Sequence, residues 1–266
     1  MVRVERRVGI SQMKNTRLQI ITRFFLLGAV SLFFVGCATT SNDARDPLEG
    51  WNRGVQSFND GADDYVVKPV AQGYQWIMPS FADQGVTNFF NNIGDIRVTL
   101  NDLFQFKFNQ AGSDFTRLLI NSTLGIGGLF DVATELDFER HDEDFDQTLG
   151  AWGMPTGPYL VLPFLGPSSA RGALGLAGDA VANPLFYIDF PAVTWGLTTL
   201  KYVDLRADQL SASRIVDEAA LDRYEFFRNA YFQRREYLVH DGNPPLDEDE
   251  YFDEDELDGD LDLQEP

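Results

Sequence analysis

A short hydrophobic leader that runs into a lone thiol constrains this chain more than any other feature. Residues 24–36, FFLLGAVSLFFVG, are apolar, and Arg3, Arg6, Arg7, Lys14, Arg17 and Arg23 precede them. A basic start, a short apolar stretch and a small residue at its end make a secretory signal, and the stretch is too short to cross a bilayer. Gly36 is that small residue, and Cys37, the chain's single cysteine, follows it. A thiol at this junction is an acceptor for diacylglycerol, so residues 1–36 read as a signal peptide and Cys37 as a lipid anchor. Val35 and Gly36 fit the usual cleavage box, whereas Phe34 stands where Leu is common. Met13 opens a second, more compact leader, MKNTRLQIITRFF. Ala38 follows the thiol, and a residue other than Asp there directs a sorted lipoprotein to the outer membrane. With its thiol taken by lipid the chain has no disulfide, and its fold must be held by its core or by the membrane.

Charge narrows the choice of partners. The chain carries 21 Lys and Arg against 41 Asp and Glu, and residues 1–36 hold six of the basic residues and one acidic one. What remains is strongly acidic, which excludes nucleic-acid binding driven by electrostatics and docking to anionic headgroups through a basic patch. Attachment to a membrane then rests on acyl chains and apolar surface. The 22 Phe residues suit an interfacial location.

Residues 37–45 read as a lipidated tether, and Asp46-Pro47 as a helix start with Asp as N-cap and Pro at the first helical position. Helical patterns cover 48–60, 64–78, 80–92 and 94–108, with kinks or breaks at Pro69 and Pro79. Phe104, Phe106 and Phe108 alternate with polar residues, which suggests a short extended segment. Ser113-Asp114 precedes another helix that ends in the Gly-rich IGGLF, and a further helix follows over roughly 128–136. Residues 137–147 form an acidic exposed loop. Residues 148–172 are dense in Gly and Pro around the apolar Tyr159–Leu165, the composition of an ordered hairpin rather than a helix. Residues 173–203 predict one or two helices around an aromatic turn. Residues 204–239 predict the longest helix, with Tyr224, Phe227, Tyr231 and Leu238 at helical spacing and an Arg214–Glu218 pair. No stretch after the leader reaches the length of a spanning helix. Residues 241–266 contain thirteen acidic residues and no basic one, and read as a solvated tail. Glu254, Glu256, Asp258, Gly259, Leu261 and Glu265 match a calcium-loop spacing, but Glu in place of Asp at the first position favours the plain acidic tail.

The census of catalytic motifs is empty. His141 lies in the acidic loop and His240 at the end of the last helix, and neither has a metal-ligand spacing. Ser168-Ser169 sit in a turn without a G-x-S-x-G elbow. The Gly125-Ile126-Gly127-Gly128 run lacks the Lys-Ser/Thr of a phosphate loop. No cofactor and no metal are implied.

The motifs together resemble one family, the MlaA (VacJ) lipoproteins. The resemblance rests on DPLEGWNR at 46–53, FTRLLINSTLGIGGLFDVA at 115–133, DFDQTLGAWGMPTGPYLVLPFLGPSSARG at 144–172 and AYFQRREYL at 230–238. Gly172 departs from the family pattern, where Asp often follows the Arg. The resemblance implies an all-α, ring-like single domain over 46–240, made of short amphipathic helices with a Gly/Pro-rich hairpin. Such a domain is monotopic in the inner leaflet of a Gram-negative outer membrane. It implies removal of mislocalised phospholipid from the outer leaflet through a polar channel, delivery to the periplasmic carrier MlaC, and contact with a trimeric porin. Phe58 and Asn59 match a family segment near the channel mouth, although simple core packing is the commoner explanation for such residues. Gly125, Gly127 and Gly128 line the pore or simply cap a helix, and Arg171 either meets phosphate or forms a structural salt bridge. Two other functions fit a lipoprotein of this composition. One is a structural brace for a porin. The other is a lipid hydrolase with a reactive Ser near His141 or His240.

Overall fold

The computed structural model describes residues 43–245. Cys37, both candidate start methionines and the calcium-like spacing lie outside those residues. Helix α1 (Glu49–Ala62) passes through a π turn (Asp63–Val67) into α2 (Lys68–Ile77) without a break. Pro69 was expected to kink this stretch. A proline ring collides with the carbonyl four residues back, and the wider π turn just before it absorbs that conflict. Pro79 does break the chain: Met78 is extended, with φ −84° and ψ 117°, as the residue before proline prefers. Helix α3 (Ser80–Phe104) is one 25-residue element where two were expected. The expected extended segment after it is a turn, with Phe106 at φ 62°. Helix α4 (Phe108–Thr123) returns along α3, and a Gly-containing turn leads to the short α5 (Val132–Glu135).

Asp46 is not the helix cap that its position suggests. It is fully buried, accepts Asn52 Nδ2 at 2.8 Å and the Tyr224 hydroxyl, and lies 3.4 Å from Arg228. A carboxylate removed from water needs such partners, and these tie the start of the domain to its last helix.

Helix α6 (Phe145–Ala151) is capped by Asp144, which accepts Gln147 N–H at 2.8 Å. The hairpin follows: β1 (Tyr159–Leu162) pairs antiparallel with β2 (Gly166–Ser169), with Tyr159 opposite Ser169 and Leu162 opposite Gly166. Ser169 caps α7 (Ala170–Ala182) by accepting Gly172 N–H at 3.0 Å. A Cβ on Gly172 would stand 2.7 Å from the Tyr231 hydroxyl oxygen and 2.8 Å from Ser168 Oγ, so a larger residue there requires those hydroxyls to move aside. A 3-10 turn (Pro184–Tyr187) leads to α8 (Pro191–Asp208), α9 (Leu210–Ala219) and α10 (Arg223–Val239). The long helix expected over 204–239 is therefore three pieces. Asp222 caps the last one by accepting Tyr224 N–H at 2.8 Å, and among the described residues no ion pair joins Arg214 and Glu218, both on α9.

The elements close on themselves. Helix α1 packs on β1, β2 on α7, α7 on α6, α6 on α3, α3 on α8, and α8 on α2, which continues α1. An apolar cluster of Val55, Tyr159, Val161 and Tyr224, flanked by Trp51, Tyr231 and Phe232, fastens α1, β1 and α10. Elsewhere the usual order is inverted. Asp95, Asn101, Asp102, Asp114 and Arg117 are buried, while Tyr65, Trp76, Phe81, Phe106, Phe186 and Trp195 are each at least 70% exposed. Polar groups inside and large apolar groups outside suit a protein whose surroundings are partly lipid. Among the described residues no helix is long and apolar enough to cross a membrane. The fold is all-α with one small hairpin, monotopic, as the sequence implies.

Candidate functional site: an amphipathic cavity

A cavity of about 730 Å³ lies between α1, the π turn, the hairpin, α8, α9 and the start of α10. One wall is apolar: Val67, Val161, Leu165, Leu205, Val216 and Phe227, with the Tyr202 ring. The other is built from paired charges. Arg206 on α8 grips Asp63 of the π turn with two parallel bonds of 2.7 and 2.6 Å, and donates to Ser213 Oγ on α9 at 2.8 Å. The hydrogen bonds it donates to Asp63 raise the guanidinium's pKa, so the pair stays charged. Arg223 sits 3.2 Å from Asp217 and 3.7 Å from Asp60. Burial pushes Asp60 up, opposed by Arg223 and aided by the nearby Asp64, Asp217 and Asp63. A wall of each kind facing one space fits a ligand with an apolar and a charged end.

The hairpin side of the cavity is held by asparagines on α1. Asn52 donates to Tyr159 O at 3.0 Å and accepts Val161 N–H at 2.9 Å. Two helical turns later, Asn59 donates to Leu162 O at 3.0 Å and accepts Phe164 N–H at 2.7 Å. Each side-chain amide thus plays the part of a strand's backbone. Phe58 meets Phe164 edge to face, with centroids 5.2 Å apart. Asn59 lines the cavity, and Phe58 stands beside it on the hairpin tip.

The remaining sequence candidates lie elsewhere. Gly125, Gly127 and Gly128 form the turn between α4 and α5 and do not line this cavity. A Cβ on Gly128 would stand 2.6 Å from Asn92 Cβ on α3, and one on Gly125 would stand 2.2 Å from Phe130 O. Close packing explains both glycines. Arg171 is buried, with its Nε 2.6 Å from Asp146 and its Nη1 donating to Met154 O at 2.9 Å. Those bonds are the structural salt bridge, and they occupy the group that would have met phosphate.

The hydrolase arrangement is absent from the same region. His141 Nδ1 lies 2.9 Å from Asp114, His240 Nδ1 lies 2.9 Å from Glu236 O, and Ser169 Oγ receives the Tyr231 hydroxyl. Among the described residues no cluster of His, Cys, Asp or Glu could hold a metal ion.

Sequence reasoning missed Asp63, Arg206 and Arg223. Asp63 and Arg206 are 143 residues apart, and no local pattern marks such a pair.

Comparison with known proteins agrees with this architecture. The family model described as MlaA lipoprotein matches residues 44–238. The "Intermembrane phospholipid transport system lipoprotein MlaA" of Shigella flexneri is 34% identical over 227 residues, covering 83% of this chain and 90% of that one. Its counterpart of the same name in Haemophilus influenzae is 31% identical, covering 82% and 89%. A solved structure described as "Structural basis for maintenance of bacterial outer membrane lipid asymmetry" superposes with a TM-score of 0.65 at 31% identity, over 73% of this chain and 98% of that one. Helices closed around a Gly/Pro hairpin, a match along nearly the whole described body and relatives of this similarity have one meaning: the chain belongs to the MlaA lipoprotein family.

Proposed function

We infer that this protein removes mislocalised phospholipid from the outer leaflet of the outer membrane and passes it inward, which keeps the two leaflets asymmetric. It is an outer-membrane lipoprotein and not an enzyme. The amphipathic cavity carries the reading: an apolar wall suits acyl chains, and a wall of ion pairs suits a charged headgroup. Its relatives are named for intermembrane phospholipid transport. The aromatic exterior holds the body in the inner leaflet beside the lipid anchor on Cys37. The acceptor of the lipid is a soluble periplasmic carrier of the MlaC kind, and a trimeric porin is the neighbour in the membrane plane.

The test is outer-leaflet phospholipid in cells lacking the protein, complemented with wild type or Cys37→Ala. The expected result is excess surface phospholipid that wild type removes and Cys37→Ala does not. Unchanged surface phospholipid on deletion overturns transport. If porin still co-purifies in that case, the protein is a structural brace.

A further inference from the structure

Among the described residues only two cations, Lys201 and Arg214, form no ion pair with a carboxylate. In a chain of formal net charge −20 that is an exception worth explaining. Arg214 lines a second, polar pocket of about 250 Å³ between α2 and α9. Lys68, Gln72 and Gln75, on one face of α2, form its opposite wall, and Ser211 and Ser213 of α9 add two hydroxyls. The one carboxylate in the wall, Asp217, is engaged by Arg223 at 3.2 Å. Lys68 is held only by Asp64, one turn back at 3.3 Å, in an exposed pair of the weak kind. The pocket's uncommitted charge is therefore positive, and amide and hydroxyl groups surround it.

Its position adds the second half of the argument. Ser213 lines both this pocket and the larger cavity. Arg206, bonded to that Ser213 and to Asp63, lines the larger cavity beside it. A polar, cationic chamber thus meets a largely apolar one at Ser213. We propose that the Lys68–Arg214 pocket is a seat for the phosphate of a phospholipid whose acyl chains occupy the larger cavity. The planar guanidinium of Arg214 and the Lys68 ammonium supply charge-assisted bonds to the phosphodiester oxygens, and Gln72 and Ser211 supply neutral ones. This assignment rests on the lipid-transport reading and extends it from a lipid-sized space to a headgroup site.

The test uses the full lipidated protein in detergent, probed by native mass spectrometry with three ligands. These are dihexanoyl phosphatidylglycerol, dihexanoylglycerol without phosphate, and inorganic phosphate. Arg214→Gln, at an exposed position, is expected to weaken phosphatidylglycerol binding roughly tenfold to a hundredfold, the loss of one or two charge-assisted hydrogen bonds. Dihexanoylglycerol binding is expected to stay unchanged. Leu205→Trp, which fills the larger cavity, is expected to weaken both lipids, with thermal melting confirming that it folds. Unchanged phosphatidylglycerol affinity in Arg214→Gln, with loss in Leu205→Trp, overturns the headgroup seat and leaves the cavity reading standing. Loss of inorganic phosphate alone in Arg214→Gln makes the pocket a free-phosphate site and overturns the proposal. Lipid binding indifferent to Leu205→Trp removes the acyl-chain cavity and with it the reading on which the seat depends.

Discussion

At the scale of single residues, Asp102 shows what the inverted interior costs. Its side chain is fully buried on α3. Burial and the nearby charges of Asp114 and Glu143 push its pKa up to about 8, against the opposing charge of Lys107. The folded chain thus holds a proton that the unfolded chain would release near pH 4. Stability from this site is complete in acid and is lost as pH rises through about 8. Asp102→Asn keeps the shape of the side chain and removes the ionisable group. We expect it to raise stability at pH 7–9 by about 1–2 kcal/mol, a few degrees in Tm, and to flatten the decline between pH 5 and 8. Thermal melts from pH 5 to 9 in detergent check this, and equal slopes between pH 5 and 8 in both proteins would contradict the assignment.

At the scale of elements, the hairpin depends on a helix for its position. Asn59 makes both of its amide bonds to the turn between β1 and β2. Asn59→Ala removes a donor and an acceptor together and is expected to destabilise the tip by about 1–2 kcal/mol. Hydrogen exchange at the Phe164 amide should quicken roughly tenfold while the α10 amides keep their protection. Uniform acceleration would instead mean global destabilisation. The hairpin itself was legible, because Gly and Pro at 153–167 exclude a helix and Tyr159–Leu165 is apolar, whereas the segment read as hairpin from 148 begins with the end of α6. The break before α10 was legible in principle, since Asp222 followed by Glu225 is a capping pattern, but helical spacing on both sides concealed it. The merger of 80–104 into one helix went unread because Gly94 has open space around it and costs the helix only conformational entropy. Asn59 was found through a family segment, and its bonding role had no local signal. Asp63–Arg206 and the Arg214 pocket are long-range meetings, which neither periodicity nor spacing encodes.

At the scale of the whole molecule, attachment to lipid should depend on apolar contact rather than charge. Trp76 and Trp195 are 87% and 72% exposed, and the chain is too acidic to be drawn to anionic headgroups. Protein lacking residues 1–42 is expected to float with neutral phosphatidylcholine vesicles and to remain bound in 0.5 M salt, above which exposed charges are well screened. Trp76→Asp with Trp195→Asp should release most of it. Release by salt alone would assign binding to electrostatics. The asparagines of α1 carry one more consequence at this scale. A two-stranded sheet normally presents unpaired amides that can template another chain into fibrils. Here Asn52, Asn59 and the Arg45 carbonyl, which accepts Tyr159 N–H at 2.8 Å, occupy those groups along β1. The free edge of β1 is thereby closed to pairing with another strand, so this hairpin cannot add a neighbour on that side.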